Sequence, residues 1–150
     1  MPTIRELYEH EFHLGYPAML ELRPHLESVE TFVRSVTQDQ IPEGYRLIAS
    51  FDDDTDVPAA VAGFRTGHSL GWGYFLYVDD MVTRTAFRGS GHAARLMKWI
   101  YEEAARLGCD QVHLDSGVQR YDAHRLYLSQ HMKIVGHHFF SGSNEKALTG

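Results

Sequence analysis

The sequence has a single cysteine, no long apolar run and no excess of positive charge. Because Cys109 is the only cysteine in 150 residues, no disulfide can form within the chain, which is typical of a reducing compartment. No window approaches about 18 consecutive apolar residues, and the N-terminus has no apolar stretch of a secretory signal. The net charge of −6 and the pI near 5.9 argue against a nucleic-acid-binding surface. These absences predict a cytoplasmic protein that binds neither nucleic acid nor a membrane.

The length and the spacing of apolar residues predict one domain over residues 1–150. The predicted strands lie at 3–10, 46–51, 59–66, 74–83, 111–115 and 134–140, and the predicted helices at 11–22, 28–38, 89–107 and 122–131. Strands 74–83 and 111–115 flank a helix, so they should be parallel. The expected fold class is therefore α/β, with a mixed sheet in which antiparallel hairpins precede a βαβ parallel crossover.

The helix at 89–107 is the clearest of these elements. One side of it carries a continuous apolar stripe, and Gly108 is a natural stop for it. Arg95, Lys98 and Arg106 are expected on the opposite side, facing water.

The segment that joins the long strand to this helix has the composition of an anion-binding turn. It reads Arg88, Gly89, Ser90, Gly91, His92 and Ala93. Two glycines allow a tight turn with exposed N–H groups, and the following helix adds unpaired donors and the positive end of its dipole. The segment is neither a P-loop nor a complete dinucleotide fingerprint. It predicts a phosphate-bearing ligand, with an ordinary strand-to-helix turn as the alternative.

This segment resembles motif A of the GCN5-related N-acetyltransferase (GNAT) family, Arg/Gln-x-x-Gly-x-Gly/Ala. Arg88, Gly91 and Ala93 stand at the matching positions. The similarity extends upstream through Val78–Thr83 and downstream through Ala123–Tyr127, which resembles the family's closing Ala-x-x-x-Tyr pattern. The resemblance implies the acyl-CoA N-acyltransferase fold of that family and acetyl-CoA as the co-substrate.

The resemblance also implies a role for particular residues. Backbone N–H groups of residues 88–93 would hold the pyrophosphate of acetyl-CoA. The strand end at Met81, Val82 and Thr83 would pair its backbone with the pantetheine arm, in the manner of a missing strand. Tyr127 would be the general acid that protonates the departing thiolate, and a packed core tyrosine is the alternative.

Two positions depart from the family's pattern around the coenzyme. Arg120 stands where an asparagine usually contacts the coenzyme, and it is a candidate for a phosphate contact instead. His131 and Met132 replace the usual Gly-Phe after the tyrosine helix.

Asp79 and Asp80 are the candidate proton acceptors. An amine must be neutral to attack a thioester, and a carboxylate can take the proton from its ammonium form. Strand alternation predicts Asp79 on the face of Tyr77 and Met81, and Asp80 on the opposite face, so that at most one faces the acceptor. The run 77–81 also resembles the strand of polyamine-type members of the family. A cap or salt bridge at a strand bulge is the alternative interpretation.

No metal site is predicted. The acidic turn at 52–56 lacks the glycine and glutamate that a calcium-binding EF-hand loop requires. The ten histidines show no spacing that specifies a metal. His113 and one of His137 or His138 are candidates to line an acceptor pocket.

The predicted activity is N-acetyl transfer from acetyl-CoA to a primary amine, directly within a ternary complex. The acidic charge and the paired aspartates favour a small cationic acceptor, such as a polyamine or an aminoglycoside. A protein or peptide acceptor, a non-catalytic acyl-CoA sensor or interaction module, and a binder of another phosphate ligand are the alternatives. A homodimer is left open.

Overall fold

The computed structural model describes residues 2–143. Contacts divide the chain into two compact units, of which the first ends at Leu114 and the second begins at Asp115. The single domain over residues 1–150 stays a prediction, and its last residues, 144–150, lie outside the described part. Among the described residues, no helix is both long enough and apolar enough to cross a membrane.

The first unit contains five strands and three α-helices. Its strands are β1 (Thr3–Leu7), β2 (Arg46–Phe51), β3 (Ala60–Ser69), β4 (Gly73–Thr83) and β5 (Gln111–Leu114). Its helices are α1 (Tyr16–Leu22), α2 (Val29–Ser35) and α3 (His92–Leu107), with short 3-10 or π turns at Glu9–Gly15, Val36–Gln40, Ile41–Glu43 and Thr85–Phe87. The second unit contains α4 (Tyr121–Ser129).

The five strands form one sheet in the order β1-β2-β3-β4-β5. The first three pairings are antiparallel, and β4 pairs with β5 in parallel across the α3 crossover. This arrangement confirms the predicted mixed α/β fold.

Helices cover both faces of the sheet. Val61 and Val82 pack in a buried cluster with Phe32 of α2. Phe64, which alternation places on the opposite face from Val61, contacts Trp99 of α3. The apolar stripe of α3 therefore packs on one face, and the N-terminal helices pack on the other.

The helix boundaries differ from the predicted ones for identifiable reasons. Pro17 favours the first turn of a helix because it has no N–H to leave unpaired, and α1 begins at Tyr16 rather than at residue 11. Ser28 caps α2, accepting a hydrogen bond of 3.1 Å from the Thr31 N–H. α4 begins at Tyr121, directly after its cap residue Arg120, and ends at Ser129, two residues before its predicted end.

The predicted last strand at 134–140 is wrong. The structure assigns no strand there, and the apolar side chains of the segment are exposed, with Phe139 at 90%. A strand needs a neighbour for its N–H and C=O groups, and the described residues of the second unit contain no strand that could be that neighbour. Gly136 in its centre weakens the strand preference further.

Candidate functional site

A β-bulge in β4 organises the first part of the candidate site. Val78 lies opposite Phe64 on β3, and Asp80 lies opposite the preceding residue, Gly63. Asp79 is thus the extra residue that has no partner position on β3. Such a residue bends the strand and shifts the alternation of its side chains.

The bulge brings the two aspartates to one face of the sheet, so the predicted alternation is wrong. Gly63 and Arg65 share a face because they are two residues apart on β3. Asp80 lies opposite Gly63, and Asp79 binds Arg65. Met81, which was expected on the face of Asp79, lies on the opposite face, next in alternation to Asp80.

Asp80 is held by a guanidinium and a phenol. Its Oδ1 accepts hydrogen bonds from Nε and Nη2 of Arg23, at 3.1 and 2.8 Å. Its Oδ2 accepts one of 2.8 Å from the Tyr45 hydroxyl. Burial, together with the charge of Asp80, raises the pKa of Tyr45 well above its usual value, so the phenol stays protonated and remains a donor.

Asp79 forms a two-point ion pair with Arg65. Nε of Arg65 donates to Oδ2 at 3.1 Å, and Nη2 donates to Oδ1 at 3.0 Å. Nη1 of Arg65 donates to Glu43 at 3.3 Å. Burial raises the pKa of Asp79, and the Arg65 guanidinium opposes that rise. Both aspartates thus make salt bridges at a strand bulge, and a catalytic role for either stays a prediction.

Just beyond the bulge, one edge of β4 is open. β5 pairs with β4 only over Phe75–Val78. From Asp79 onward, no strand of the described residues pairs with that edge. Met81 and Val82 have buried side chains, so their backbone groups are what this edge can offer to a ligand.

The turn between β4 and α3 exposes its backbone donors. Gly89 and Gly91 adopt φ values of +85° and +81°, which favour glycine. Arg88, Ser90 and both glycines are exposed. The N–H groups of Gly89, Ser90 and Gly91 donate to no acceptor among residues 2–143. With the first turn of α3, which begins at His92, they form a concave set of donors suited to phosphate.

Next to this turn lies Arg95, whose placement differs from the prediction. It is half-buried rather than water-facing. Its Nε and Nη2 are buried without a hydrogen-bond partner in the described chain, and its Nη1 lies 3.1 Å from where a Cβ on Gly91 would stand. Buried cationic donors without acceptors are costly, so this guanidinium fits an anion bound at the turn. The sequence signal for it is its position four residues after Gly91, one turn into α3.

The side chain of His92 points away from the turn. It is 1% exposed, and its Nδ1 lies 2.8 Å from the Ser50 hydroxyl of β2. Its Nε2 has no hydrogen-bond partner among the described residues and lies 4.0 Å from Asp52. His92 therefore anchors the start of α3 to the sheet, and only its backbone N–H is available to a ligand at the turn.

The burial of His92 predicts a pH dependence of stability. Burial lowers its pKa below the usual value of 6.5. As the pH falls through 6.5, the unfolded chain takes up a proton that the folded chain does not, so the free energy of unfolding decreases. We expect His92→Gln to reduce the slope of the free energy of unfolding against pH by up to about 1.4 kcal/mol per pH unit. Urea unfolding at several pH values on either side of 6.5 measures this slope. His25→Gln, at an exposed position, should keep the original slope, and an unchanged slope in His92→Gln would contradict the assignment.

The second unit holds the remaining predicted residues. Arg120 precedes the first turn of α4, and Tyr127 is buried, at 7% exposure. His131 adopts φ +67°, the conformation that favours glycine, at the position where the family usually has Gly. The N–H of Met132 donates to the Tyr127 carbonyl at 3.1 Å.

Besides Arg95, three residues around the two aspartates escaped prediction: Arg23, Tyr45 and Arg65. They lie far from β4 in the sequence, and no spacing connects them with Asp79 and Asp80. Within the described part of the chain, no group of three or more His, Cys, Asp or Glu residues could hold a metal ion.

Comparison with known proteins identifies related sequences. Residues 2–132 match the acetyltransferase (GNAT) family. The uncharacterized N-acetyltransferase YhdJ of Bacillus subtilis (strain 168) is 32% identical over 117 residues, which cover 78% of this chain and 80% of that protein. The aminoalkylphosphonate N-acetyltransferase of Salmonella typhimurium (strain LT2) is 32% identical over 56 residues, or 37% of this chain and 36% of that protein.

Solved structures share the fold. The aminoglycoside N-acetyltransferase AAC(6')-Iy, solved in complex with CoA, superposes with a TM-score of 0.80 at 12% identity, over 95% of each chain. At this identity, the likeness concerns the fold alone.

Proposed function

The chain belongs to the acetyltransferase (GNAT) family, and from that premise we propose that it transfers an acetyl group from acetyl-CoA to a primary amine of a small molecule. The observation that carries the proposal is the partnerless guanidinium of Arg95 beside the exposed N–H groups of residues 89–91. The two phosphates of a coenzyme A pyrophosphate would satisfy both sets of donors.

Two further segments would complete the coenzyme site. At Met81, Val82 and Thr83, where no described strand pairs with this edge of β4, the backbone would pair with the amides of the pantetheine arm, as one strand does with another. Nε of Arg88 donates to the Thr83 carbonyl at 3.3 Å and so connects the turn at 88–93 to this end of β4. Arg120 is proposed as an additional phosphate contact.

Of the two aspartates, we assign the proton acceptor role to Asp79. Burial raises its pKa, which makes it a better base than an exposed carboxylate. Asp80 already accepts three hydrogen bonds, from Arg23 and Tyr45, and serves as the positioning residue that orders them. The proton lost by the ammonium form of the acceptor would pass to Asp79 directly or through one water.

The remaining steps need no covalent enzyme intermediate. Bound acetyl-CoA supplies an activated acyl group on a thiol leaving group. A backbone N–H near Val82, on the side of β4 that faces away from β3, would donate to the carbonyl oxygen as negative charge develops on it. Tyr127 would give its proton to the leaving sulfur. Cys109 has no part in the reaction, because burial and Asp110 raise its pKa and so disfavour a thiolate.

A small amine is favoured over a protein acceptor by one relative. The name of the Salmonella protein indicates aminoalkylphosphonates, which are small molecules, as its acceptors. The proposed acceptor reaches this chain as an ammonium cation, whose approach the net charge of −6 favours. A non-catalytic acyl-CoA sensor would bind the coenzyme equally well. Only a measurement of acetyl-CoA turnover distinguishes a transferase from such a sensor.

We expect Arg95→Met to weaken coenzyme binding. The substitution keeps the aliphatic stem but removes charged donors that the phosphates would occupy, which corresponds to a rise of about 10- to 100-fold in the Kd for CoA. Isothermal titration calorimetry measures this Kd. Lys98→Met, an exposed cation of the same helix, is the matched control and should bind CoA like the unmodified chain.

A Kd for Arg95→Met equal to that of the control would show that Arg95 does not contact the coenzyme.

Catalysis itself is tested by thiol release from acetyl-CoA in the presence of primary amines. Acceleration by an amine supports the transferase. CoA binding without any accelerating amine supports the sensor instead.

A further inference from the structure

Two arginines cover the two aspartates of the β4 bulge, and the exposed Glu43 carboxylate lies beside one of them. The side chains of Asp79 and Asp80 are only 18% and 16% exposed. The arginines that cover them, Arg65 and Arg23, are 39% and 44% exposed. A molecule that approaches this face therefore meets these two guanidinium groups before it meets the carboxylates of Asp79 and Asp80.

Both guanidinium groups retain unused donors. Arg23 donates from Nε and Nη2 to Asp80 and to the Asp79 carbonyl, and its Nη1 has no acceptor among the described residues. Arg65 donates one bond from each nitrogen, to Asp79 and Glu43, out of the five N–H groups that a guanidinium carries. The bond to Glu43 is the weakest of these, because it is 3.3 Å long and that glutamate is 65% exposed.

Two adjacent, partly exposed guanidinium groups are suited to a planar or tetrahedral oxyanion. Such groups bind carboxylates and phosphates through paired N–H···O contacts. A simple diamine or polyamine has no acceptor group to offer these N–H donors. The same cluster still contains the Asp79 carboxylate, which can receive an ammonium group. The cluster is thus complementary to a molecule that carries both charges.

We propose that the acceptor amine carries an acidic group, a carboxylate or a phosphate-like oxyanion, a short distance from its nitrogen. Arg23 and Arg65 bind the acidic group, and its amine lies toward Asp79. This inference rests on the proposed function and narrows it, since it replaces a simple cation by a zwitterion as the substrate class.

A panel of acceptor amines that match in length and differ in their second functional group tests the inference. The panel contains ω-amino carboxylates, the corresponding ω-amino phosphonates, the uncharged ω-amino carboxamides and diamines of equal length. The measured quantity is kcat/KM from thiol release with saturating acetyl-CoA. We expect at least one acidic series to exceed its carboxamide by about 10-fold or more, and the diamines to be the poorest acceptors. The carboxylate and phosphonate series show which oxyanion the arginines prefer.

The outcomes separate the inference from the proposed function. Faster turnover of diamines or carboxamides than of every acidic amine would contradict the inference about the acceptor but would still support the proposed acetyltransferase function. If no amine in the panel accelerates thiol release, the result contradicts both the inference about the acceptor and the proposed transferase function.

An arginine variant supplies an independent measurement. In Arg23→Gln the ratio of kcat/KM between an acidic amine and its carboxamide should fall about 10-fold, through KM rather than kcat. Asp80 keeps its Tyr45 partner in this variant, so the fold of the bulge is preserved. Arg34→Gln, an exposed arginine on α2, should keep the original ratio. An unchanged ratio in Arg23→Gln would remove Arg23 from acceptor recognition.

Discussion

Tyr127→Phe should lower kcat by about 100-fold or more, because positioned general acids contribute factors of this size. The substitution removes one oxygen from a side chain that is 7% exposed, so packing of the ring is retained. Coenzyme affinity should change little, since the proposed role concerns the leaving sulfur rather than the phosphates. Thiol release gives kcat, and calorimetric titration of CoA gives the Kd.

The same helix provides the control for this prediction. Tyr121 is 67% exposed and lies at the start of α4, so Tyr121→Phe should keep the original kcat. If Tyr127→Phe turned over as fast as Tyr121→Phe, Tyr127 would be a packing residue and another group would have to protonate the thiolate.

Gly63→Ala should destabilise the fold by about 3 kcal/mol, the upper range for overpacking of a core. A Cβ on Gly63 would overlap the phenol ring of Tyr45, which is itself buried, at 4% exposure. The ring must shift, and its hydroxyl then loses Asp80. We therefore expect a lower midpoint in urea unfolding together with reduced acetyl transfer.

Gly71→Ala is the comparison variant for this substitution. A Cβ on Gly71 meets no atom within 4 Å, and the residue is exposed. Its unfolding midpoint should stay within error of the original. Equal midpoints for the two variants would mean that Tyr45 does not occupy the space above Gly63.

The order of strands and helices could be predicted because local patterns determine it. The strand at 46–51 matches both predicted limits because alternation marks it, and α3 ends at Leu107 as predicted because a C-terminal glycine marks that end. The segment at 134–140 has the residue types of a strand, yet the described residues of its own unit contain no strand to pair with it. Pairing is a property of the whole sheet, which the composition of one segment does not reveal.

The candidate site was predictable only where its residues are contiguous. The turn at 88–93 is a local motif, and its glycines have the positive φ values that the pattern requires. The arginines that cover the aspartates are Arg23, which follows α1, and Arg65 on β3, and their contacts exist only in the folded chain. The bulge was missed because strict alternation has no place for an extra residue.

Asp79, the extra residue of the bulge, also constrains how the length of β4 can vary among related chains. If Asp79 were deleted, Asp80 would follow Val78 directly and would take its place opposite Gly63 with normal alternation. One carboxylate would remain for two arginines, and Arg65 would lose its two-point partner. If instead a residue were inserted before Asp79, both acids would shift in register relative to Arg23 and Tyr45. Homologous chains that share this charge cluster should therefore keep the spacing from β4 to the glycine turn without insertions or deletions, while the hairpin turns at 52–56 and 69–73 are free to change length.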